Sequence, residues 1–321
     1  MTKKIVLLQP IAPELVPIID GLLPAGFSAS AIAGRTPADV KAGVADADYA
    51  VWWDLPVTAD IVAAAPRVKL FHKWGVGVDN IDLEACRARG IRVARTTGSN
   101  ATPVAEFAVG LMIALSRQIT FAHSTTIAGG WAKNEVWKQS RLVSGKTVGI
   151  IGLGSIGKGV ARRLGGFDCT LLYNNRNRIP EAEEQALGVA YRSLDALLAE
   201  SDIVCLNCPL TDQTRGMIDA RALGRMKKGA LLVNVARGGI AVEADLVEAL
   251  RSGQVGGAAV DVFDQEPPPK DHPLLSMPNV ICTPHCASTA FESSRKGVAH
   301  WLENIFRVDR GEPIPEKDRV A

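Results

Sequence analysis

Three polar residues that could act together in acid–base chemistry follow three separate apolar runs of the sequence. Arg237 comes after LLVNVA, Glu266 after AAVDVFDQ, and His285 after NVICTP. The carboxyl ends of parallel strands share one edge of a sheet, where ligands bind, so residues far apart in the sequence can meet there. Each residue alone is typical of a protein surface, but together they form a chemically complete set.

The set matches the needs of hydride transfer to a 2-keto acid. Arg237 can donate a fork of hydrogen bonds to the carboxylate and carbonyl oxygens, and His285 can donate the proton. A carboxylate at Glu266 would orient His285 and raise its pKa. The sequence therefore predicts these three residues as catalytic.

A glycine-rich motif predicts a dinucleotide site. Residues 147–160, TVGIIGLGSIGKGV, contain Gly152, Gly154 and Gly157 in a GxGxxG pattern. The pattern alone is weak evidence because structural turns also produce it. Here it follows an apolar strand and leads into a helical pattern, an arrangement in which backbone amides at a helix N-terminus bind a pyrophosphate. We expect the loop, with Ser155 and Ile156, to bind a nicotinamide dinucleotide.

The residues after the next strand indicate which dinucleotide is bound. An NAD-binding fold normally has an acidic residue about 20 positions after the glycines, but here CTLLY is followed by NNRNR. A carboxylate would repel a 2′-phosphate, whereas Asn175, Arg176 and Arg178 can donate hydrogen bonds to it. The sequence predicts a preference for NADP(H), with NAD(H) possible. A solvated basic loop is the alternative explanation.

Short apolar runs alternate with helical patterns, which predicts an α/β fold with parallel sheets wrapped by helices. Strands of a first unit are expected at four places: 5–8, 49–53, 68–72 and 91–94. One long helix is expected at 103–129, where Gly129 and Gly130 end it. Six further strands give the count of a full dinucleotide-binding sheet: TVGII, CTLLY, IVCLN, ALLVNV, GGAAVDV and NVICTP.

A last helical pattern at 288–308 comes too late for that second series, so we expect it to pack on the first unit. Residues 1–99 and 289–321 would then form a discontinuous, flavodoxin-like substrate domain. Residues 100–288 would form a dinucleotide-binding domain inserted into it. The predicted fold class is thus α/β with two Rossmann-like, doubly wound domains.

Composition argues against several other classes of protein. Lys and Arg total 36 and Asp and Glu total 34, so no strong overall charge favours nucleic acid or a membrane as partner. No apolar stretch approaches the roughly 18 residues of a membrane helix, and Gln9 and Pro10 interrupt the apolar start. We expect a cytoplasmic protein. The six cysteines, including the Cys205–Cys208 CxxC, fit buried thiols better than disulfides or a metal site.

Motifs over nearly the whole chain resemble those of the D-isomer-specific 2-hydroxyacid dehydrogenases, which include glyoxylate/hydroxypyruvate reductases, phosphoglycerate dehydrogenases and formate dehydrogenases. The motifs are KWGVGVDNID (73–82), NATPVAEFAVG (100–110), GLGSIG (152–157), NCPLTDQT (207–214), VNVARGG (233–239), DVFDQEP (261–267) and TPH (283–285). The resemblance implies that Arg237, Glu266 and His285 are the catalytic trio. It identifies the chain as closest in type to glyoxylate/hydroxypyruvate reductases, which form a D-2-hydroxy acid.

Further site residues follow from the resemblance alone. It implies that the backbone of Val76 and Gly77 holds the substrate carboxylate and that Asn100 lies at the lip of the cleft. It also implies a homodimer built on the helix at 103–129. The cofactor would contact several residues at the strand ends in addition to the glycine loop: Cys208, Pro209, Ala236, Asp261 and His285.

Three alternatives stay open. Formate dehydrogenases carry glutamine where this chain has Glu266, and glutamine cannot keep His285 protonated, so the acid favours keto-acid reduction. Many phosphoglycerate dehydrogenases have an acid after the second nucleotide strand, which is missing here, although Lys73 falls where they often have arginine. Corepressors that sense nicotinamide cofactors share the fold, but the chain has no strong charge block of the kind expected of a recruiting protein.

Overall fold

The computed structural model describes residues 2–321 and divides the chain into two compact units. The first contains the residues up to Asn100 together with Thr289–Ala321, and the second contains Ala101–Ser288. The sequence predicts that residue 100 belongs to the second unit, whereas in the structure it belongs to the first. The insertion of one unit into the other means that two chain crossings, not one, join them.

The first unit is built on a five-stranded parallel sheet. Its strands are β1 (Lys3–Leu7), β2 (Phe27–Ala31), β3 (Tyr49–Trp52), β4 (Leu70–Lys73) and β5 (Arg92–Arg95). Their order, β2-β1-β3-β4-β5, is the flavodoxin-like order, as predicted. Strand β2 was not predicted, because its sequence FSASA alternates small and polar residues and it lies at the sheet edge, partly exposed.

Five helices belong to this unit: α1 (Val16–Asp20), α2 (Pro37–Val44), α3 (Ala59–Ala63), α4 (Leu83–Ala88) and α13 (Phe291–Asp309). The last helix packs on the sheet, where Trp301 and Ile305 join Leu7 and Tyr49 in one core. His72 on β4 is fully buried, and burial lowers its pKa to about 3. It therefore stays neutral, with Nδ1 3.0 Å from the Lys73 carbonyl oxygen, so this histidine is structural.

The second unit is built on seven parallel strands rather than the predicted six. They are β6 (Thr147–Ile151), β7 (Thr170–Asn174), β8 (Val189–Tyr191), β9 (Ile203–Leu206), β10 (Ala230–Asn234), β11 (Val255–Val260) and β12 (Val280–Cys282). Their order is β12-β11-β10-β9-β6-β7-β8. The chain reverses its direction of travel across the sheet between β8 and β9, so the crevice beside β6 is the switch point at which such folds bind ligands. Strand β8 escaped prediction because it has only three residues.

The predicted long helix at 103–129 is two helices, α5 (Ala101–Ser116) and α6 (Ile119–Ile127), with a 66° bend between them. Gln118 adopts a left-handed conformation with φ of 57°, which ends α5. Its side-chain amide donates to the Leu115 carbonyl at 3.1 Å, and the Ser116 carbonyl accepts from the Arg141 N–H. Helical periodicity continues across this break, so the sequence pattern did not reveal it.

Helices cover both faces of the second sheet. The remaining ones are α7 (Lys133–Gln139), α8 (Ser155–Leu164), α9 (Glu181–Leu187), α10 (Leu194–Glu200), α11 (Ala220–Arg225) and α12 (Glu243–Arg251). Helices α5 and α8 pack into one core and α10 to α12 into the other. Within residues 2–321 no single helix has the length and apolar composition to cross a membrane; the bent pair of α5 and α6 meets those criteria only when taken together.

Candidate active site

The three predicted catalytic residues follow three neighbouring strands. Arg237 lies just beyond β10, Glu266 beyond β11 and His285 beyond β12, and these strands are adjacent in the sheet. Parallel pairing brings their carboxyl ends to one edge. The sheet order thus brings together residues that are separated by up to 48 positions in the sequence, Arg237 and His285 being the outermost.

Glu266 and His285 form a hydrogen-bonded pair. Glu266 Oε2 lies 2.7 Å from His285 Nδ1, and Glu266 Oε1 accepts the backbone N–H of Phe263 at 3.0 Å. Both oxygens of the carboxylate are therefore used, one to fix the carboxylate and one to orient the imidazole. Among the contacts of residues 2–321, none uses His285 Nε2, so this nitrogen is the one left to exchange a proton with a ligand.

The pair is tuned toward its charged form. The hydrogen bond to Glu266 raises the pKa of His285, although burial and the charge of Arg237 oppose the rise. Burial alone would raise the pKa of Glu266, but the contacts with His285 and the Phe263 N–H outweigh it and hold that pKa below its usual value. At neutral pH His285 is consequently more protonated than an ordinary histidine.

His285 is held in an uncommon backbone conformation. Its φ of 51° lies in the left-handed region, which is unfavourable for most residues other than glycine. The His285 N–H donates to the Asp261 carbonyl oxygen at 2.7 Å. The Asp261 carboxylate accepts from Thr283 Oγ1, Cys286 N–H and Ala287 N–H at 2.6–2.9 Å.

Asp261 therefore has a role that sequence reasoning did not anticipate. It was predicted to contact the cofactor, but it is only 1% exposed, and the contacts found within residues 2–321 tie it to the 283–287 segment. A buried carboxylate is tolerated where several hydrogen bonds satisfy it. We conclude that Asp261 fixes the segment that carries His285; contact with a cofactor stays a prediction.

Arg237 lies on a turn that the Asn234 side chain stabilises. The buried Asn234 side chain accepts the Ala236 N–H at 3.0 Å and donates to the Arg237 carbonyl oxygen at 2.9 Å. Directly afterwards, a Cβ on Gly238 would lie 2.1 Å from the Phe263 carbonyl carbon. Only glycine permits this close approach. The backbone after Arg237 thus runs against the turn that carries Glu266, which explains the glycine of the ARGG motif.

The glycine loop has the shape of an anion-binding site. A Cβ on Gly152 would lie 2.5 Å from the Cys208 nitrogen, and one on Gly157 would lie 2.3 Å from the Gly152 carbonyl oxygen. Gly154 differs, because nothing lies within 4 Å of the position of its Cβ. It is the exposed N-cap of α8 and no side chain caps that end. The free amides of the first turn, which includes Ser155 and Ile156, fit a pyrophosphate.

The other predicted cofactor residues flank this loop. Cys208 and Pro209 follow β9, beside Gly152. Asn175 follows β7, and its side-chain oxygen accepts the Leu153 N–H of the glycine loop at 2.6 Å. Arg176 is exposed, and no hydrogen bond or ion pair is found for it within residues 2–321. A ribose-proximal position for Asn175 and Arg176 agrees with these contacts.

Arg178 does not agree with its predicted role. Its guanidinium forms two hydrogen bonds with Glu184, Nε to Oε1 at 2.8 Å and Nη2 to Oε2 at 2.7 Å. Tyr173 donates to the same carboxylate at 2.5 Å. The Arg178 contact, with that of Tyr173, lowers the pKa of Glu184 to about 2. The charge of Arg178 is therefore compensated within the protein, and the proposed contact with a 2′-phosphate is corrected.

The predicted carboxylate loop belongs to the first unit. Val76 and Gly77 follow β4 and are half-buried, and no hydrogen bond described for residues 2–321 uses their backbone N–H groups. The loop begins at Gly75, which has φ of 147° and whose carbonyl accepts the Thr96 N–H at 2.9 Å. Asn100, at the end of this unit, has a buried side-chain oxygen that lacks a partner within the described residues.

Lys73, just before that loop, is engaged by its own unit. The residue is 5% exposed, and its ammonium donates to the Trp53 carbonyl and, at 2.9 Å, to Asn80 Oδ1. The rings of Trp53 and Trp74 meet edge to face at 5.5 Å. The position at which phosphoglycerate dehydrogenases often have arginine is thus occupied by a buried lysine.

Comparison with known proteins agrees with this arrangement. The family model "D-isomer specific 2-hydroxyacid dehydrogenase, NAD binding domain" matches residues 109–287. A glyoxylate reductase of Thermofilum pendens is 39% identical over 81% of this chain and 77% of its own length. A chloroplastic/mitochondrial formate dehydrogenase of Arabidopsis thaliana is 37% identical over 83% of this chain and 69% of its own length.

A solved structure extends the likeness to the whole chain. The NAD-dependent formate dehydrogenase of Staphylococcus aureus in complex with NAD is 31% identical, covers 99% of both chains and superposes with a TM-score of 0.88. The family model spans more than half of the sequence, and its NAD-binding description agrees with the open N-terminus of α8. The chain therefore belongs to the D-isomer-specific 2-hydroxyacid dehydrogenases and is an oxidoreductase that uses a nicotinamide cofactor.

Proposed function

We propose that this protein reduces a small 2-keto acid, with glyoxylate or hydroxypyruvate as substrate, to a D-2-hydroxy acid. The observation that carries the proposal is the 2.7 Å contact between Glu266 and His285 Nδ1. A carbonyl reductase needs a group that is protonated at working pH and within reach of the developing alkoxide. The carboxylate beside His285 supplies that condition.

The side chains of the second unit have distinct tasks in this proposal. The bound cofactor supplies the hydride. Arg237 donates its fork of N–H groups to the carboxylate and carbonyl oxygens of the keto acid, which polarises the carbonyl. His285 gives the proton on Nε2 to the carbonyl oxygen, while Glu266 stabilises the imidazolium before transfer and holds the ring through Nδ1. The Val76–Gly77 backbone remains the predicted carboxylate site.

Formate oxidation is the main competing activity, because formate dehydrogenases are about as similar to this chain as glyoxylate reductases. Oxidation of formate to carbon dioxide transfers a hydride but no hydroxyl proton. It therefore has no use for an acid that is kept protonated. Glu266 raises the pKa of His285, which a neutral glutamine would not do. The charge at position 266 supports keto-acid reduction.

A phosphorylated substrate is less well supported. The residue that kept a phosphoglycerate dehydrogenase open as an alternative is Lys73, but its ammonium contacts Trp53 and Asn80 inside the first unit. Recruiting it to a ligand would take away one of two donors from each acceptor, because Trp52 Nε1 also donates to Asn80 Oδ1 and Asn80 Nδ2 to the Trp53 carbonyl. The contacts of Lys73 therefore favour a small keto acid without a phosphate group as the substrate.

For the cofactor, we propose a preference for NADPH that is weaker than the sequence suggested. The turn after β7 has no carboxylate to bind the ribose hydroxyls of NAD, and Asn175 lies against the glycine loop. Of the two arginines in that turn, Arg178 is paired with Glu184, whereas the contacts described for residues 2–321 include no partner for Arg176. With one arginine instead of two to bind the 2′-phosphate of NADPH, we propose that the protein also uses NADH.

We also propose a homodimer formed through the α6–α7 region. Five of the eight exposed large hydrophobic side chains in residues 2–321 belong to this one stretch of the second unit: Ile119, Ile127, Trp131, Trp137 and Leu142. Trp131 and Trp137 are 82% and 77% exposed. Apolar side chains concentrated in this way are typical of an interaction surface rather than of an isolated molecule. The family resemblance makes a second copy the partner we propose.

The pH dependence of catalysis tests the acid–base role. Reduction needs protonated His285, so kcat/KM for glyoxylate should be highest below the raised pKa of His285 and fall as pH rises through it. In Glu266→Gln that fall should move to lower pH, with a loss of roughly tenfold or more at neutral pH. His285→Ala should lose roughly 10²–10⁴ in turnover. A flat wild-type profile, or formate oxidation faster than glyoxylate reduction, would contradict the proposal.

Gly154 offers a test of the cofactor site that separates binding from folding. A methyl group at Gly154 meets nothing in the protein, so Gly154→Ala should melt within a few degrees of the wild type. The methyl group would project where the pyrophosphate approaches. We therefore expect Kd for NADPH and NADH to rise by at least about tenfold, which corresponds to about 1.4 kcal/mol of binding free energy. Gly166→Ala, equally open but beyond the end of α8, is the matched control and should change neither quantity.

Cofactor preference is tested by a pair of arginine variants. Arg176→Ala should lower the ratio of kcat/KM for NADPH over NADH by roughly tenfold, since a hydrogen bond to a charged group contributes about 1.5–3 kcal/mol. Arg178→Ala should leave the ratio nearly unchanged. The opposite ranking of the two variants would show that Arg178 leaves Glu184 to bind the cofactor.

The proposed dimer is tested by sedimentation at several protein concentrations. Trp131→Ser combined with Trp137→Ser should shift the protein toward the monomer, because about 1.5–3 kcal/mol is lost for each large apolar side chain that is no longer buried. Leu275→Ser, a change at a separate exposed apolar residue of the same unit, should leave the mass unaltered. A monomeric wild type would exclude the dimer.

A further inference from the structure

A second carboxylate–imidazole pair lies behind the turn that carries Glu266. Glu243, the first residue of α12, places Oε2 3.1 Å from His272 Nε2. Its other oxygen, Oε1, accepts the Asp264 N–H at 2.8 Å. The side chains of Glu243 and His272 are only 18% and 14% exposed. Burying polar side chains to this extent costs desolvation energy, so the presence of this pair calls for an explanation other than solubility.

The pair holds the turn at two adjacent residues. Besides the hydrogen bond from Asp264 to Glu243, the His272 ring meets the Phe263 ring edge to face at 5.6 Å. Phe263 is also the residue whose N–H donates to Glu266 Oε1 at 3.0 Å. A continuous chain of contacts therefore leads from Glu243 and His272, through the backbone of residues 263 and 264, to the carboxylate that faces His285.

The opposite side of the turn is closed by backbone. A Cβ at Gly238 would lie 2.1 Å from the Phe263 carbonyl carbon and 2.4 Å from the Asp264 nitrogen. Residues 263 and 264 are thus enclosed between the ARGG segment and the Glu243–His272 pair. Without the pair, only one wall of this enclosure would remain, and the Phe263 N–H would no longer be fixed toward Glu266.

We propose that Glu243 and His272 are positioning residues, which hold the 263–264 backbone so that the Glu266 carboxylate stays against His285. The inference rests on the proposed acid–base role of His285. It assigns to His272 a part in catalysis that involves no contact with substrate.

The surrounding charges indicate that Glu243 acts on His285 by fixing the position of Glu266 and not by its own charge. The charged groups with the largest effect on the pKa of His285 are Glu266, Arg237 and Asp261. Beside Glu243 lie His272 and Asp264; burial and then the charge of Glu243 raise the pKa of Asp264, while Arg215 acts on Asp264 in the opposite direction. Removing Glu243 should therefore alter His285 only by letting Glu266 move.

The test is the pH profile of keto-acid reduction by Glu243→Ala and Glu243→Gln. Alanine removes both contacts, so the alkaline fall of kcat/KM should begin at lower pH, with roughly a threefold to tenfold loss above neutral pH and little loss below it. Glutamine keeps an acceptor for the Asp264 N–H and should restore most of the profile. Glu248→Ala, on the exposed side of the same helix, is the matched control and should match the wild type.

A double variant separates positioning from general damage. In the Glu266→Gln background, where no carboxylate contacts His285 Nδ1, Glu243→Ala should leave the pH profile unchanged, because the two residues act through one contact. The proposal is overturned if Glu243→Ala lowers activity equally at every pH, if it shifts the profile as much in that background, or if glutamine behaves like alanine.

Titration of the His285 ring by NMR, with the signal assigned from His285→Gln, gives a readout that needs no substrate. Glu243→Ala should lower the titration midpoint, and His272→Phe, which keeps the ring contact with Phe263, should lower it less. If Glu243→Ala is unstable, His272→Phe carries the same test, and Glu243→Gln is the control whose midpoint should stay near that of the wild type. An unchanged midpoint overturns the inference even where keto acids are reduced, whereas a shifted midpoint without turnover supports it and instead contradicts the proposed substrate.

Discussion

A hydrogen bond of 2.7 Å between Glu266 and His285 is the interaction on which the proposed chemistry depends. Burial on its own pushes both groups toward their neutral forms, because it raises the pKa of the carboxyl and lowers that of the imidazole. Their mutual contact is the largest of the effects that reverse these tendencies. The charge state needed for proton donation therefore requires that two loops, from different strands, be held at hydrogen-bonding distance.

The fold meets this requirement with backbone geometry and buried carboxylates. On the histidine side, the Asp261 carboxylate accepts hydrogen bonds from three donors of the 283–287 segment, and its carbonyl oxygen accepts the His285 N–H. These contacts hold His285 in a left-handed conformation, which costs roughly 1–2 kcal/mol. On the glutamate side, the Phe263 N–H and the close approach of Gly238 define the turn. Strain at such a site persists only where its surroundings fix it from several directions.

The sequence could predict the strand-end residues because one rule, that parallel strands end at one edge, needs no side-chain detail. The same rule does not reveal pairings between side chains. Arg178 was assigned to a cofactor phosphate because Glu184 lies on a separate helix and only the folded turn brings the two together. Weak or short patterns were missed for a different reason: β2 alternates small residues, β8 has three residues, and the break at Gln118 leaves helical periodicity intact.

The activity of this chain cannot be decided by overall likeness, since glyoxylate reductases and formate dehydrogenases share its fold and a similar degree of identity. A fold that places an arginine and a histidine at strand ends on one edge of the sheet can serve either reaction. What differs is whether the reaction moves a proton together with the hydride. Moving the proton requires an ionised group beside the imidazole, so the carboxylate at position 266 is more informative about the reaction than the overall identity to either group of enzymes.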